Sequence, residues 1–229
     1  MWEGYLAKQQ KIDFIKREFL SRLCRQMQLV KCEGPLLTEQ GTGLQDDLSG
    51  IERPVEVKVS ALPDKQYQVV HSLAKWKRQL LADYQAPVGQ GIVVTMSALR
   101  PDEETLDETH SVFVDQWDWE KVIAEEQRSM QYLKQQVQLI YAALTATEGK
   151  LRAIYGGLSI LPRQLTFISS ETLRAEYPEL TAKQRENKIT EALGAVFVYG
   201  IGAPLSDGKK HDERAPDYDD WSTQTEHFG

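Results

Sequence analysis

Apolar residues recur at helical spacing from the start of the chain. Leu6, Ile12, Ile15, Phe19, Leu23 and Met27, set among polar and basic residues, predict an amphipathic helix over 5–27. Gly34-Pro35 breaks that pattern, and 38–50 reads as a loop. Val55, Val57 and Val59 alternate with Glu56 and Lys58, which is the period of a strand, and 66–71 forms a second short strand. Ser72 is placed to cap a helix over 73–82. Strands over 91–99 and 110–118 enclose the polar loop 100–105, predicting a long antiparallel hairpin. Leu133, Val137, Ile140 and Leu144 mark a helix over about 120–145, and 165–168 reads as a strand. Thr181 and Gln184 form a capping-box pattern before a helix ending near Leu193-Gly194. A last strand, 195–199, leads into a loop opened by Gly200-Ile201-Gly202. Strands in consecutive hairpins with flanking helices predict an α+β fold with a largely antiparallel sheet rather than alternating βαβ units.

Composition narrows the class without changing this picture. The 229 residues are 41% hydrophobic and 27% charged, as in an ordinary globular chain, and no repeat or linker-like tract divides them. A single domain over 1–229 is the expectation. The net charge of −7 argues against non-specific nucleic-acid or anionic-membrane binding, which need clustered positive potential. The densest apolar run, 195–199, is far short of a membrane span, and the amino terminus lacks the cationic-then-apolar pattern of an export signal. Cys24 and Cys32 are too few for a disulfide scaffold and read as reduced thiols, so a cytoplasmic location is expected.

Three clusters carry candidate chemistry. In His71-Ser72-Leu73-Ala74-Lys75-Trp76-Lys77-Arg78, three cations fall within four residues at a strand-to-helix junction. Such a cluster can hold a carboxylate or phosphate, though charge alone also describes a solvated helix face. On the hairpin, alternation puts His110, Val112, Val114, Gln116 and Asp118 on one face, on a strand whose partner ends in Arg100. An amide, a carboxylate and a guanidinium there can bind an amino acid and a phosphate together; polar residues on a half-solvated sheet face would look the same. Arg214-Ala215-Pro216-Asp217-Tyr218-Asp219-Asp220-Trp221 is dense in carboxylates, which can steer an ammonium ion, bind a metal or form a solvated loop. Gly41 and Gly43 make no phosphate loop, and the four histidines have no metal-ligand spacing.

Together these segments resemble the ammonia-dependent aspartate–ammonia ligases, asparagine synthetase A. The strings that carry the resemblance begin with Gln45-Asp46-Asp47-Leu48-Ser49-Gly50, the 71–78 cluster and Ala98-Leu99-Arg100-Pro101-Asp102-Glu103. They continue with Val114-Asp115-Gln116-Trp117-Asp118-Trp119-Glu120, Leu193-Gly194-Ala195-Val196-Phe197, and Arg214 to Ser222. They follow in order along essentially the whole chain. The family is built like the catalytic domain of class II aminoacyl-tRNA synthetases, an antiparallel sheet flanked by helices. The 71–77 string stands where aspartyl-tRNA synthetase has Gln-Ser-Pro-Gln-Leu-Tyr-Lys, and Val114 stands where it has an aromatic that stacks on adenine.

The resemblance implies a two-step reaction. ATP adenylates the β-carboxylate of aspartate and releases pyrophosphate; ammonia then displaces AMP to give asparagine. It implies roles for the clusters: Arg100 on the α-phosphate, and Lys77 with Arg78 and Ser72 on the substrate's carboxylate. Gln116 and Asp118 fall to the α-ammonium or the reacting carboxyl, Asp46 and Asp219 to capture and deprotonation of ammonium, and Ser111, Val114 and Arg214 to ATP. In the relatives the fold continues for about another hundred residues that carry acidic metal ligands and an ATP-facing arginine. The chain therefore reads as C-terminally incomplete, expected to be inactive alone, with ligands for ATP-bound magnesium beyond residue 229 and a homodimer when full length. An aspartyl- or asparaginyl-tRNA synthetase, or a non-catalytic synthetase-like binding protein, are the alternatives; the acidic charge weighs against the former.

Overall fold

The computed structural model describes residues 1–46, 48, 50, 52–103, 105–108 and 110–212. They divide into two units, one of residues 27–127 and the other of residues 1–26 with the chain from 128 onward.

In the 27–127 unit, β1 (Leu29–Lys31) starts a stretch with little hydrophobic period, followed by β2 (Leu37–Glu39), β3 (Glu56–Lys58) and β4 (Gln66–Val69). The helix α2 (Ala74–Asp83) comes next, then the long strands β5 (Gly91–Leu99) and β6 (Phe113–Lys121). β5 lies between β1, which is parallel to it, and β6, which is antiparallel. β4 lies between β2 and β3, both antiparallel to it. The apolar positions of β5 alternate inward, so Val94, Met96 and Ala98 form one buried cluster with Val70 and Leu73 from the chain entering α2. Gly91 is required where the strands meet. A Cβ there would lie 2.2 Å from the Glu120 carbonyl oxygen and 2.8 Å from the Lys121 Cα, both backbone atoms.

The other unit is built on two 26-residue helices, α1 (Trp2–Met27) and α3 (Met130–Tyr155). The strand β7 (Thr166–Ser169), the helices α4 (Ser170–Glu176) and α5 (Ala182–Leu193), and the strand β8 (Val196–Tyr199) complete it. β7 and β8 pair in parallel, and Ile168, Leu173 and Ile189 form a core against which Tyr177, Val196 and Val198 pack. Glu148 holds the turn after α3 by accepting the Ile160 and Leu161 amides at 2.6 and 3.1 Å. Glu171 accepts the Arg174 guanidinium at 2.7 Å and the Ser206 amide at 2.9 Å. Those donors, Arg174 first, hold its pKa at about 2. No helix among the described residues is long and apolar enough to cross a membrane.

The α+β class stands, with antiparallel pairing in both 27–127 sheets, while the strands assort into three small sheets with two parallel pairs. Several boundaries differ from the sequence reading. β6 starts at Phe113 rather than at 110, because His110 is consumed by a turn in which its amide donates to the Asp107 carboxylate at 2.9 Å. Lys121 and Glu120 still pair with Gly91 and Ile92, so α3 cannot begin near 120. It begins after Ser129, whose hydroxyl accepts the Tyr132 amide. α2 has Leu73, not Ser72, at its N-cap, and the Ser72 oxygen accepts the Ala74 amide from one residue further out. The capping box of α5 is present, with Thr181 and Gln184 each accepting the other's backbone amide.

Candidate functional site

The register of β5 against β6 places Val94 opposite Asp118, Met96 opposite Gln116, Ala98 opposite Val114 and Ile92 opposite Glu120. One sheet face therefore carries Val114, Gln116, Asp118 and Glu120 in a row, and the strand-end residue Arg100 falls on it by the same parity. The helix α2 packs on this face of β6. Lys77 and Asp118 form an ion pair, with the lysine side chain fully enclosed and the aspartate side chain 17% exposed. The second Asp118 oxygen accepts the Leu73 amide at 2.9 Å, at the first turn of α2.

Electrostatics on this face follow from burial. Loss of hydration pushes the Lys77 pKa down; Asp118 and Glu120 oppose that shift and Arg78 adds to it. Burial pushes the Glu120 carboxyl up, against the pull of Lys77 and Arg78 and helped by the Asp118 and Asp46 carboxylates. Five charged groups, Asp46, Lys77, Arg78, Asp118 and Glu120, thus feel one another.

The loop before β3 is bound to the same place. The Gln45 amide nitrogen donates to the Val69 carbonyl at 2.9 Å, and its oxygen accepts the His71 and Asp46 amides at 3.0 and 3.1 Å. Asp46 is 1% exposed. Its carboxylate accepts the Ser72 hydroxyl and the Leu48 amide, the latter at 3.0 Å, and the Ser72 oxygen in turn accepts the Ala74 amide at 3.2 Å. The Asp46 carbonyl lies 3.1 Å from His71 Nδ1. Arg100 donates from one terminal nitrogen to the His71 carbonyl at 3.2 Å, and its buried Nε has no hydrogen-bond partner among the described residues. Asp102, two residues on, is taken by Arg53, whose amide donates to it at 2.6 Å and whose guanidinium holds its carboxyl below the usual range.

The structure therefore brings Asp46, Ser72, Lys77, Arg78, Arg100, Gln116 and Asp118 into one region of one unit. Val114 belongs to the same face but packs on the apolar cluster. Ser111 does not join them: it is exposed, ahead of β6, and its hydroxyl accepts the Phe113 amide at 3.2 Å. Arg214 and Asp219 lie outside the described residues. The sequence reading missed Glu120, although the alternation that grouped Gln116 with Asp118 reaches it two residues further on. An apolar cavity of about 270 Å³ adjoins the region, lined by residues that include Leu37, Leu44, Val70, Leu73 and Trp76. Among the described residues no three His, Cys, Asp or Glu side chains are placed to hold a metal ion.

The family model of aspartate-ammonia ligase, AsnA, matches residues 6–226. The chain belongs to the aspartate-ammonia ligase family. Its fold is similar to that of asparaginyl-tRNA synthetase, a class II synthetase. The Entamoeba histolytica asparaginyl-tRNA synthetase in complex with asparaginyl-adenylate superposes with a TM-score of 0.54 at 12% identity, over 83% of this chain and 42% of the synthetase. The same enzyme without the adenylate gives 0.54 at 11% identity, over 83% and 44%. The ligase-family chain thus spans less than half the length of these synthetases.

Proposed function

We propose that this chain carries the aspartate- and phosphate-binding framework of an ATP-dependent aspartate–ammonia ligase that forms asparagine, AMP and pyrophosphate. The observation that carries the reading is the enclosed Lys77–Asp118 pair, on one face with Gln116 and beside Arg100, in a chain of this family. An ammonium has three N–H donors, and Asp118 occupies one side of Lys77, leaving donors for a substrate carboxylate. Enclosure makes that attraction stronger than in water. Arg78 adds positive charge, the Gln116 amide supplies a donor and an acceptor, and Ser72 sits at the helix start where an anion is favoured.

In the first step a β-carboxylate oxygen of aspartate bonds to the α-phosphorus of ATP, and the bond to pyrophosphate breaks. Two anions repel as they meet, and Arg100, with a buried nitrogen still unpaired, is the group to offset that charge. In the second step ammonia bonds to the acyl carbon, AMP leaves with the bridging oxygen, and the nitrogen loses a proton. Asp46 and Asp219 are the proposed acceptors. Asp46 is held by Ser72 and the Leu48 amide, so it acts from a fixed position. Arg214, Val114 and Ser111 are assigned to ATP by family resemblance, which also suggests a cytoplasmic homodimer.

Aspartate labelled with ¹⁸O in the β-carboxylate tests this reading. Incubation with ATP and ammonium should give asparagine and AMP carrying one ¹⁸O. Formation of ADP and labelled inorganic phosphate, or of AMP without ¹⁸O, would overturn it.

A further inference from the structure

Lys77 is wholly enclosed, and an enclosed ammonium keeps its proton only where nearby negative charge replaces the lost hydration. Asp118 supplies part of that charge but is shared, since its second oxygen takes the Leu73 amide. Arg78, the next residue on α2, works against the Lys77 charge. The β5 residues on this face, Ile92, Val94, Met96 and Ala98, are apolar and supply nothing. Asp46, from the loop before β3, is held by Ser72 and Leu48. What remains is Glu120, the next carboxylate along the face of β6, about 7 Å from Asp118 by strand rise. Its place on the strand is fixed by pairing of Glu120 with Ile92 and of Lys121 with Gly91.

We infer that Glu120 is a positioning residue for Lys77: its carboxylate keeps the enclosed lysine in the charged form that receives the substrate carboxylate. The functional part of this inference rests on the role proposed for Lys77 above; the electrostatic part does not. The mutual influence of the two groups has the right sense, with Glu120 favouring the Lys77 charge and Lys77 favouring the Glu120 charge. The site then has a pH window. On the acid side Glu120, held up by burial, protonates and releases Lys77 from its influence. On the alkaline side Lys77, held down by burial, loses its own proton.

The test reads Lys77 directly. Protein labelled with ¹³C-lysine is titrated, and the Lys77 Cε resonance is assigned from its loss in K77R. In E120Q the Lys77 proton affinity should fall on the order of tenfold, the effect of one nearby charge in a partly polar interior. E120M, a second neutral variant, should do the same, whereas E120D should keep most of the wild-type value. In turnover, the alkaline limb of the pH profile of the aspartate KM should move down by the same amount in E120Q. An unmoved Lys77 titration in both neutral variants, or an equal fall in E120D, overturns the inference. A wild-type protein that turns ATP over to ADP rather than AMP but shows the Lys77 shift overturns the proposed function and leaves the electrostatic role of Glu120 intact.

Discussion

Lys77 and Asp118 form an ion pair of unequal partners: the lysine is completely enclosed, while the aspartate keeps 17% of its side chain exposed and a second hydrogen bond to the Leu73 amide. The inequality decides which partner is costlier to lose.

Asp118→Ala leaves an ammonium enclosed without its main counter-charge, a situation that destabilises by about 3–5 kcal/mol. Lys77→Met leaves a carboxylate that is still hydrogen-bonded and partly hydrated, and should cost less. Combining Lys77→Met with Asp118→Ala should cost less than the sum of the two single changes. Urea unfolding of the four proteins measures this; equal single-mutant costs would contradict the asymmetry.

Lys77→Ala should raise the aspartate KM about ten- to a hundredfold, the worth of a charge-assisted hydrogen bond, and change the ATP KM far less. Initial rates at varied aspartate and varied ATP provide the comparison. Unchanged aspartate kinetics would remove Lys77 from the substrate site and leave it a structural partner of Asp118.

Glu171 titrates at about 2 in the folded protein, below its ordinary value of 4.5. A depressed carboxyl contributes stability that is fully present above its unfolded pKa and is lost as pH falls through the folded one. The stability difference between wild type and Glu171→Gln should therefore be constant above about pH 5.5, shrink below pH 4.5, and level off below pH 2. Urea midpoints of both proteins across pH 2–7 give the curve, and a difference independent of pH would remove Glu171 from this role.

The reciprocal cap at the start of α5 should be worth a measurable amount. Thr181→Ala removes the acceptor for the Gln184 amide and should cost about 0.5–2 kcal/mol, whereas Thr181→Ser, which keeps the oxygen, should cost little. Thermal unfolding of the two variants separates them.

Long-period signals were legible in the sequence. The alternation of β5 and β6 and the capping box of α5 appear in the structure with their expected partners, because each is determined by neighbours close in the chain. Three-residue strands such as β1 and β2 carry too few positions for any period, and pairing with β5 and β4, far along the chain, is what makes them strands. The site was legible to the extent that it lay on one regular face: Gln116, Asp118 and Arg100 follow from parity. Ser72 illustrates what was not. By spacing it is a helix cap, and its oxygen does accept the Ala74 amide, yet its proton goes to the Asp46 carboxylate, 26 residues away, and no local pattern records that. Glu120 was not legible because a charged strand end ordinarily faces water, whereas here it is half-buried on the face against which α2 packs.

The Gln45 side chain lies between the Val69 carbonyl and the His71 amide, the place a peptide group of an adjoining strand would take. β4 is thus lengthened past its last backbone pairing by a borrowed amide rather than by more strand. The His71 proton is consequently sheltered from water by one side chain and not by a ladder. Its rate of deuterium exchange becomes a gauge of how often the loop carrying Asp46 lifts away, readable while every other hydrogen bond of β4 stays closed.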